Sequence, residues 1–409
     1  MKKMKKGSIT MRKNRLFRAS VSAILLTFFL LPAAAHAAGC TAVVGANTYV
    51  SITDALNAIG QTGPGTIIVT GTCTENVSIN DTRSITIVGL GGARVVGPLD
   101  SDAFDIFDSQ DITLKNLDIS GTFSSTVAAG GGGEGVFITR ASLVLINGCN
   151  IHDNQQAGVD AEIGSTVFLQ NTTIQNNTPN DGLDVIGNST AIVGGTTIQN
   201  NGDPVAGTAG VFVSRNSTIV FRQTNLVQNN ANIGIQARNL SNVILANGAT
   251  TIQGNQTNGV VIQGGSHLQI NGPGNVSPHV IQGNGAACPL DPTCGGIFAT
   301  QDSTVELTAG TISGNRGSGV SVQQGSNVQL NGVTVSNNTG DGVHIQWLSI
   351  GNFLSGNTIS GNGGASVFCD GRSLALGNLS TFSNLRCGDM ERQDGAQHGH
   401  EDEDKGRHR

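Results

Sequence analysis

Three carboxylates pose the first chemical question. Asp160, Glu162 and Asp184 stand in two similar stretches, Gly158-Val159-Asp160-Ala161-Glu162 and Gly182-Leu183-Asp184, one period apart in a repeat that runs through the chain. In stacked strands, equivalent residues lie ~4.8 Å apart. Asp160 and Asp184 are therefore expected side by side, with Glu162 two residues along the same strand face. Carboxylates this close either hold a hard cation such as Ca²⁺ through their oxygens or share a proton. Phe137 and Phe212 fill the same slot on the flanking coils, and Arg215 and Arg238 follow on the next coils. An ordinary solvated strand face with an Asp–Arg pair uses the same residues, and both readings stand at this level.

The element that must position them is a short strand, and the chain repeats it. From Gly135 onward, one pattern recurs nine times: Gly-apolar-x-apolar, a Ser seven positions after the Gly, an alternating strand, then Ile-x-x-Asn or a close variant. The Gly slot falls at 135, 158, 182, 210, 234, 259, 296, 319 and 342. Each coil closes on an Asn, from Asn154 and Asn177 through to Asn338 and Asn362. Alternation such as Val320-Ser321-Val322 has the period of a strand with one buried face, and no coil carries a helical period. Three short strands with polar turns fit in such a repeat, and only the stack gives each coil a buried face. The predicted fold is all-β, a right-handed parallel β-helix over 65–388. Gly65–Val69, Glu75–Ile79, Ser84–Val88 and Asp111–Leu114 read as earlier, less regular strands. Residues 38–64 read as an N-terminal cap segment, with Ser51 as N-cap of a short amphipathic helix carrying Ile52, Ala55, Leu56 and Ile59.

The first 37 residues have the layout of a secretory leader. Their basic residues all lie at or before Arg18, an apolar run spans Ala19–Leu31, and Ala35-His36-Ala37 supplies a small-residue cleavage site. That run is shorter than the ~20 apolar residues of a membrane span, so no transmembrane span is expected after cleavage. Eight of the 22 Lys and Arg lie in this segment, which leaves 14 against 28 acidic residues, a formal charge of −14. Lys115 and Lys405 are then the remaining lysines. No basic stripe is left to neutralise phosphates, which argues against nucleic acid, and an acidic polymer is repelled unless a cation bridges it. The expected location is secreted, extracellular or periplasmic, and a monomer is the expected state. Residues 389–409 read as a charged, disordered tail, whose His398, His400 and His408 are weaker metal candidates than a solvated tail.

All seven cysteines follow the leader, in a compartment that permits disulfides. Spacing suggests Cys40–Cys73, Cys288–Cys294 and Cys369–Cys387. Cys149 is left over at a position where other coils place Thr172, Thr196 and Val333, which points to a buried, inert thiol. Gly39-Cys40 is similar to the end of a lipoprotein leader, but Ala37 stands three before the cysteine where Leu is usual. A structural disulfide at Cys40 is preferred to lipid anchoring.

The coils resemble the parallel β-helix repeats of the pectin-lyase-like superfamily, over about residues 48–385. Gly65 to Gly89 resembles the opening turns of pectinesterases, with Gly71-Thr72-Cys73 where many have Gly-Thr-Tyr. The resemblance implies the fold and an extracellular polysaccharide as partner. The catalytic signatures of pectinesterases, polygalacturonases and alginate epimerases are missing from this sequence. For a polysaccharide lyase, the resemblance implies Ca²⁺ on Asp160, Glu162 and Asp184, bridging a uronate, with Arg238 or Arg215 as the proton-abstracting base. Phe137 and Phe212 would then flank the substrate.

Irregularities mark the candidate face. The turn from the closing Asn to the next Gly expands at Asn201–Gly210 and Asn284–Gly296, and the Gly-rich stretch Thr122–Glu134 precedes the first regular strand at the same corner. Insertions in repeat proteins map to loops, often on the binding face. A second outward column, Leu145, Phe168, Ile192, Val220 and Ile244, is apolar and calls for a cover from this chain or another molecule. Two function classes follow: a non-catalytic secreted β-helix that binds polysaccharide or the cell envelope, and a Ca²⁺-dependent polysaccharide lyase or related carbohydrate-active enzyme. Scarce Trp and Tyr argue against a long sugar-stacking platform.

Overall fold

The computed structural model describes residues 39–60, 63–123, 132–204, 207–271, 277–288 and 291–387. The predicted leader over 1–37 and the predicted tail over 389–409 lie outside these residues. Among them the chain forms a right-handed parallel β-helix whose strands fall into three sheets of 15, 12 and 13 members. Each coil visits the sheets in rotation. One coil runs from Val159–Ala161 on the sheet that follows the Gly slot to Thr166–Gln170 on the long-strand sheet. It then passes to Thr173–Gln175 on the short-strand sheet. These are called below the Gly sheet, the long sheet and the short sheet.

The repeating residues have separate physical jobs. Inward Val and Ile stack in register, as Ile151, Ile174 and Ile198 do on the short sheet, each 0% exposed. Full burial of one such side chain stabilises by roughly 1.5–3 kcal/mol. The closing asparagines form a buried ladder: the Nδ2 of Asn177 donates to Asn201 Oδ1 at 2.9 Å, and Asn230 to Asn255 at 2.9 Å. Their backbone N–H groups also donate along the ladder, as Asn177 N does to Asn201 Oδ1 at 3.1 Å. The serines form a second ladder, in which Ser165 N donates to Ser189 Oγ at 3.2 Å. These ladders satisfy polar groups that the sharp turns would otherwise bury unpaired. They also explain the glycine: a Cβ on Gly182 would stand 2.6 Å from Asn201 Nδ2 and 2.6 Å from the Gly210 carbonyl oxygen.

The N-terminal end is closed by the helix Ile52–Ile59. Ser51 Oγ accepts from Asp54 N at 3.0 Å, and Ile52 and Ala55 are buried. Glu75 from the first coil accepts from Ile52 N at 2.8 Å and Thr53 N at 2.9 Å, which holds the helix start against the solenoid. An antiparallel hairpin, Thr41–Val44 with Asn47–Tyr49, caps the edge of the long sheet by pairing Thr41–Val43 with Ile68–Thr70. These two strands go beyond the helix expected from the sequence of this cap segment. Cys40–Cys73, Cys288–Cys294 and Cys369–Cys387 are bonded. Cys149 is free and buried, and burial pushes its thiol up to about 11.

The apolar column on the long sheet is present in register, Leu145 beside Phe168, Ile192, Val220 and Ile244. Its members are half-buried. No helix among the described residues is long and apolar enough to cross a membrane.

Candidate functional site

The outward column of the Gly sheet is built as the repeat requires. Phe137 pairs with Asp160, Asp160 with Asp184, and Asp184 with Phe212. The stack continues upstream to Asp105 beside Phe137, and downstream through Gln236, Val261, Phe298, Ser321 and His344. Alternation places Asp160 outward between Val159 and Ala161, which are both 0% exposed. Neighbouring coils and the loops at the Asn-to-Gly corner then shield it, so Asp160 is itself only 8% exposed.

The acidic group is larger than the three predicted carboxylates. Asp105 shares their column, and Asp102, Glu134 and Asp181 fill the slot just before the Gly position on their coils. Asp102 Oδ1 accepts from Gly133 N at 2.7 Å and Glu134 N at 2.8 Å, and the carboxyls of Glu134 and Asp105 interact with it. Asn76 Nδ2 donates to Asp105 Oδ2 at 2.9 Å. Downstream, Asp181 accepts from Ala209 N, and the Asp184 carboxyl interacts with it. Three oxygens in this group, Oδ1 of Asp105, Asp160 and Asp184, are buried with no hydrogen-bond partner among the described residues.

Desolvation and mutual repulsion raise these acids together. Loss of solvation, then the Glu134 carboxyl, pushes Asp102 up to about 7; loss of solvation, then Asp102, pushes Asp105 up to about 7. Asp160 is held well above the usual carboxylate range by desolvation first, then by Glu162, Asp102 and Asp181. Asp184 is raised the same way, with Asp181 and Asp160 as its nearest repelling charges. Asp181 reaches about 6 through desolvation, moderated by the Ala209 N–H, by Asp184 and by the Arg238 charge. Glu134 is raised, chiefly by desolvation.

The two arginines separate. The Arg238 guanidinium lies over the Phe212 ring, 4.4 Å from its centroid, and its charge reaches Asp181. Arg215 is exposed in the turn beyond Ser214, at a left-handed φ of 58°. Phe137 packs edge-on against Phe107 with centroids 6.0 Å apart, and in the column it stands between Asp105 and Asp160. Glu162 is half-buried at the end of the Asp160 strand.

Among the described residues, three candidate ligand atoms come within 4.8 Å of one another at Cys40, Cys73 and Glu75, where the thiols are joined in a disulfide. Asp160, Glu162 and Asp184 do not form such a closed cage. A cation on them would therefore draw the side chains inward or complete its shell with water, as Ca²⁺ sites commonly do. The unpaired Oδ1 atoms of Asp160 and Asp184 suit a hard cation, which would replace the protons that now relieve the repulsion.

Extending the repeat register one coil upstream of Gly135 brings in Asp105. Looking one residue ahead of each Gly finds Glu134 and Asp181. That slot holds Ala157, Ala209 and Ile233 on other coils, so it carries no columnar signal.

A family model described as right-handed β-helix region matches residues 66–272 and 234–385. Solved structures similar to this chain include the mannuronan C-5 epimerase AlgE4 A-module of Azotobacter vinelandii, at 15% identity and a TM-score of 0.47 over 79% of this chain and 87% of that one. The periplasmic alginate epimerase AlgG matches at 12% identity and a TM-score of 0.46, covering 77% and 86%. PfbA, a surface adhesin of Streptococcus pneumoniae, matches at 12% identity and a TM-score of 0.41, covering 78% and 87%. No curated protein matches the chain. None of these likenesses bears on the chemistry of the acidic column.

Proposed function

The chain belongs to the right-handed β-helix family, and from that premise we propose that its acidic column binds a divalent cation and, through it, an acidic extracellular polysaccharide. The observation that carries this reading is the pair of buried, unpartnered Oδ1 atoms on Asp160 and Asp184, adjacent in register and hemmed by further acids. Unpaired buried carboxylate oxygens are costly, and a hard cation relieves that cost while reversing the local charge toward an anionic sugar. Asp160, Glu162 and Asp184 would hold the ion, and Phe137 and Phe212 would border the sugar. The leader over 1–37 and the three disulfides support a secreted, extracellular or periplasmic setting.

The test is binding of uronate polymers with Ca²⁺ and with chelator, for the native chain and for Asp160→Ala/Asp184→Ala. Binding that needs Ca²⁺ and is lost in the double variant supports the reading; equal binding in all four cases overturns it. A lyase reading draws on one further observation, the Arg238 guanidinium seated over Phe212 beside Asp181. Arg215, out in the turn, is not placed beside the acids. Release of unsaturated product by the native chain, lost in Arg238→Ala, would establish it.

A further inference from the structure

Five to seven strands along the Gly sheet from Asp184, about 24–34 Å at the usual strand spacing, the outward column carries Ser321, His344 and Phe368 in register. There it borders a cavity of about 350 Å³ that none of the acidic residues above lines. Asp291 and Pro292 contribute from the loop closed by Cys288–Cys294, and Ser318, Thr339, Asp341 and His344 from the coils.

The polar groups of this cavity are fixed in place. Asp341 Oδ1 accepts from Ala365 N at 2.6 Å, while its Oδ2 lies 2.6 Å from His344 Nδ1. The imidazole stacks on Phe368, with centroids 4.5 Å apart and planes 13° from parallel, and its Nε2 lies 3.3 Å from Gln346 Oε1. Asp291 Oδ1 accepts from the N–H and the hydroxyl of Thr293, both at 2.8 Å. Thr339 Oγ1 accepts from Gly317 N at 2.8 Å. Ser318 is the exception: it is 1% exposed, it lines the cavity, and its Oγ has no hydrogen-bond partner among the described residues. Buried hydroxyls are normally paired, so an unpaired one facing a cavity marks a place for a ligand atom or a water.

We propose that this cavity is a second binding site, for one or two units of a neutral sugar held through its hydroxyl groups. The volume lies at the lower end of the range for small-ligand pockets. Two oriented carboxylates accept hydrogen bonds from adjacent sugar hydroxyls, the Ser318 and Thr339 hydroxyls complete the polar contacts, and Pro292 offers an apolar wall. Among the described residues the lining holds two carboxylates and no Lys or Arg, which repels a uronate. The site stands independently of the cation reading of the acidic column.

The experiment follows the His344 imidazole resonances of the full chain by NMR. Neutral hexoses and their short oligomers are titrated in, then uronate oligomers, then CaCl₂. A saturable shift with at least one neutral sugar and none with uronate is expected. Ser318→Ala, which removes an unpaired hydroxyl and threatens no fold contact, and Asp341→Asn should each weaken the neutral sugar by about tenfold or more. Asp160→Ala should leave the titration unchanged. The proposal is overturned if no neutral sugar moves the His344 signals, which leaves a trapped water as the partner of Ser318. It is equally overturned if only Ca²⁺ moves them, or if neither Ser318→Ala nor Asp341→Asn alters the binding.

Discussion

The upstream and downstream stretches of the Gly sheet share one backbone and differ in what they present. From Asp105 to Phe212 the outward column is acidic and aromatic; from Gln236 to Phe298 it is Gln, Val and Phe, with no charge. Both stretches rest on the same Asn ladder, whose side-chain bonds measure 2.9 Å at Asn177–Asn201 upstream and 2.9 Å at Asn255–Asn284 downstream. The inward half of each coil fixes the fold, and the outward half is free to vary. The upstream stretch uses that freedom to concentrate charge that the protein then desolvates, a departure from stability that points to a site.

Substitutions can break the shared part first. Asn230→Ala removes the donor to Asn255 Oδ1 and the acceptor used by Asn201 N at 3.1 Å and Asn201 Nδ2 at 3.2 Å. Asn201 N is left without its acceptor, while Asn255 Oδ1 keeps the backbone N–H of residue 230, so the change should cost about 1–3 kcal/mol, read as a lower urea midpoint. Gly182→Ala should cost about 1–3 kcal/mol by overpacking, because its Cβ meets the ladder and a backbone carbonyl. Equal stability of either variant and the native chain would remove the ladder from the account.

Acidity separates the two stretches next. Carboxyls raised from 3.8 to about 7, as at Asp102 and Asp105, bind protons in the folded chain that the unfolded chain has released. Their contribution to stability is therefore greatest below the unfolded value and is lost as pH rises through about 7, on the order of 4 kcal/mol for such a shift. In chelator, urea midpoints should fall between pH 4 and pH 8, and Asp184→Asn should flatten part of that fall. A midpoint that rises over this range would contradict the electrostatics. The smallest effect is expected in the neutral stretch, where Gln236→Ala should change stability by no more than about 0.5 kcal/mol and leave its pH dependence intact.

The same contrast explains what could be read from sequence. The ladders demand Gly, Ser and Asn at fixed offsets in every coil, so nine coils reveal the register, and with it the adjacency of Asp160 and Asp184. Asp102, Glu134 and Asp181 escape because their slot has no requirement of its own. The hairpin Thr41–Tyr49 escapes because strands of four and three residues are too short to show a period. The seat of Arg238 over Phe212 depends on a side-chain conformation, while Arg215 is displaced by its position in the turn.

The most direct measurement is Ca²⁺ titration of the native chain at pH 7 in weak buffer, recording proton release and thermal midpoint together. The account predicts that Ca²⁺ displaces protons from the acidic column and raises the midpoint, and that both responses vanish in Asp160→Asn/Asp184→Asn. No proton release and no change in midpoint in the native chain would contradict it.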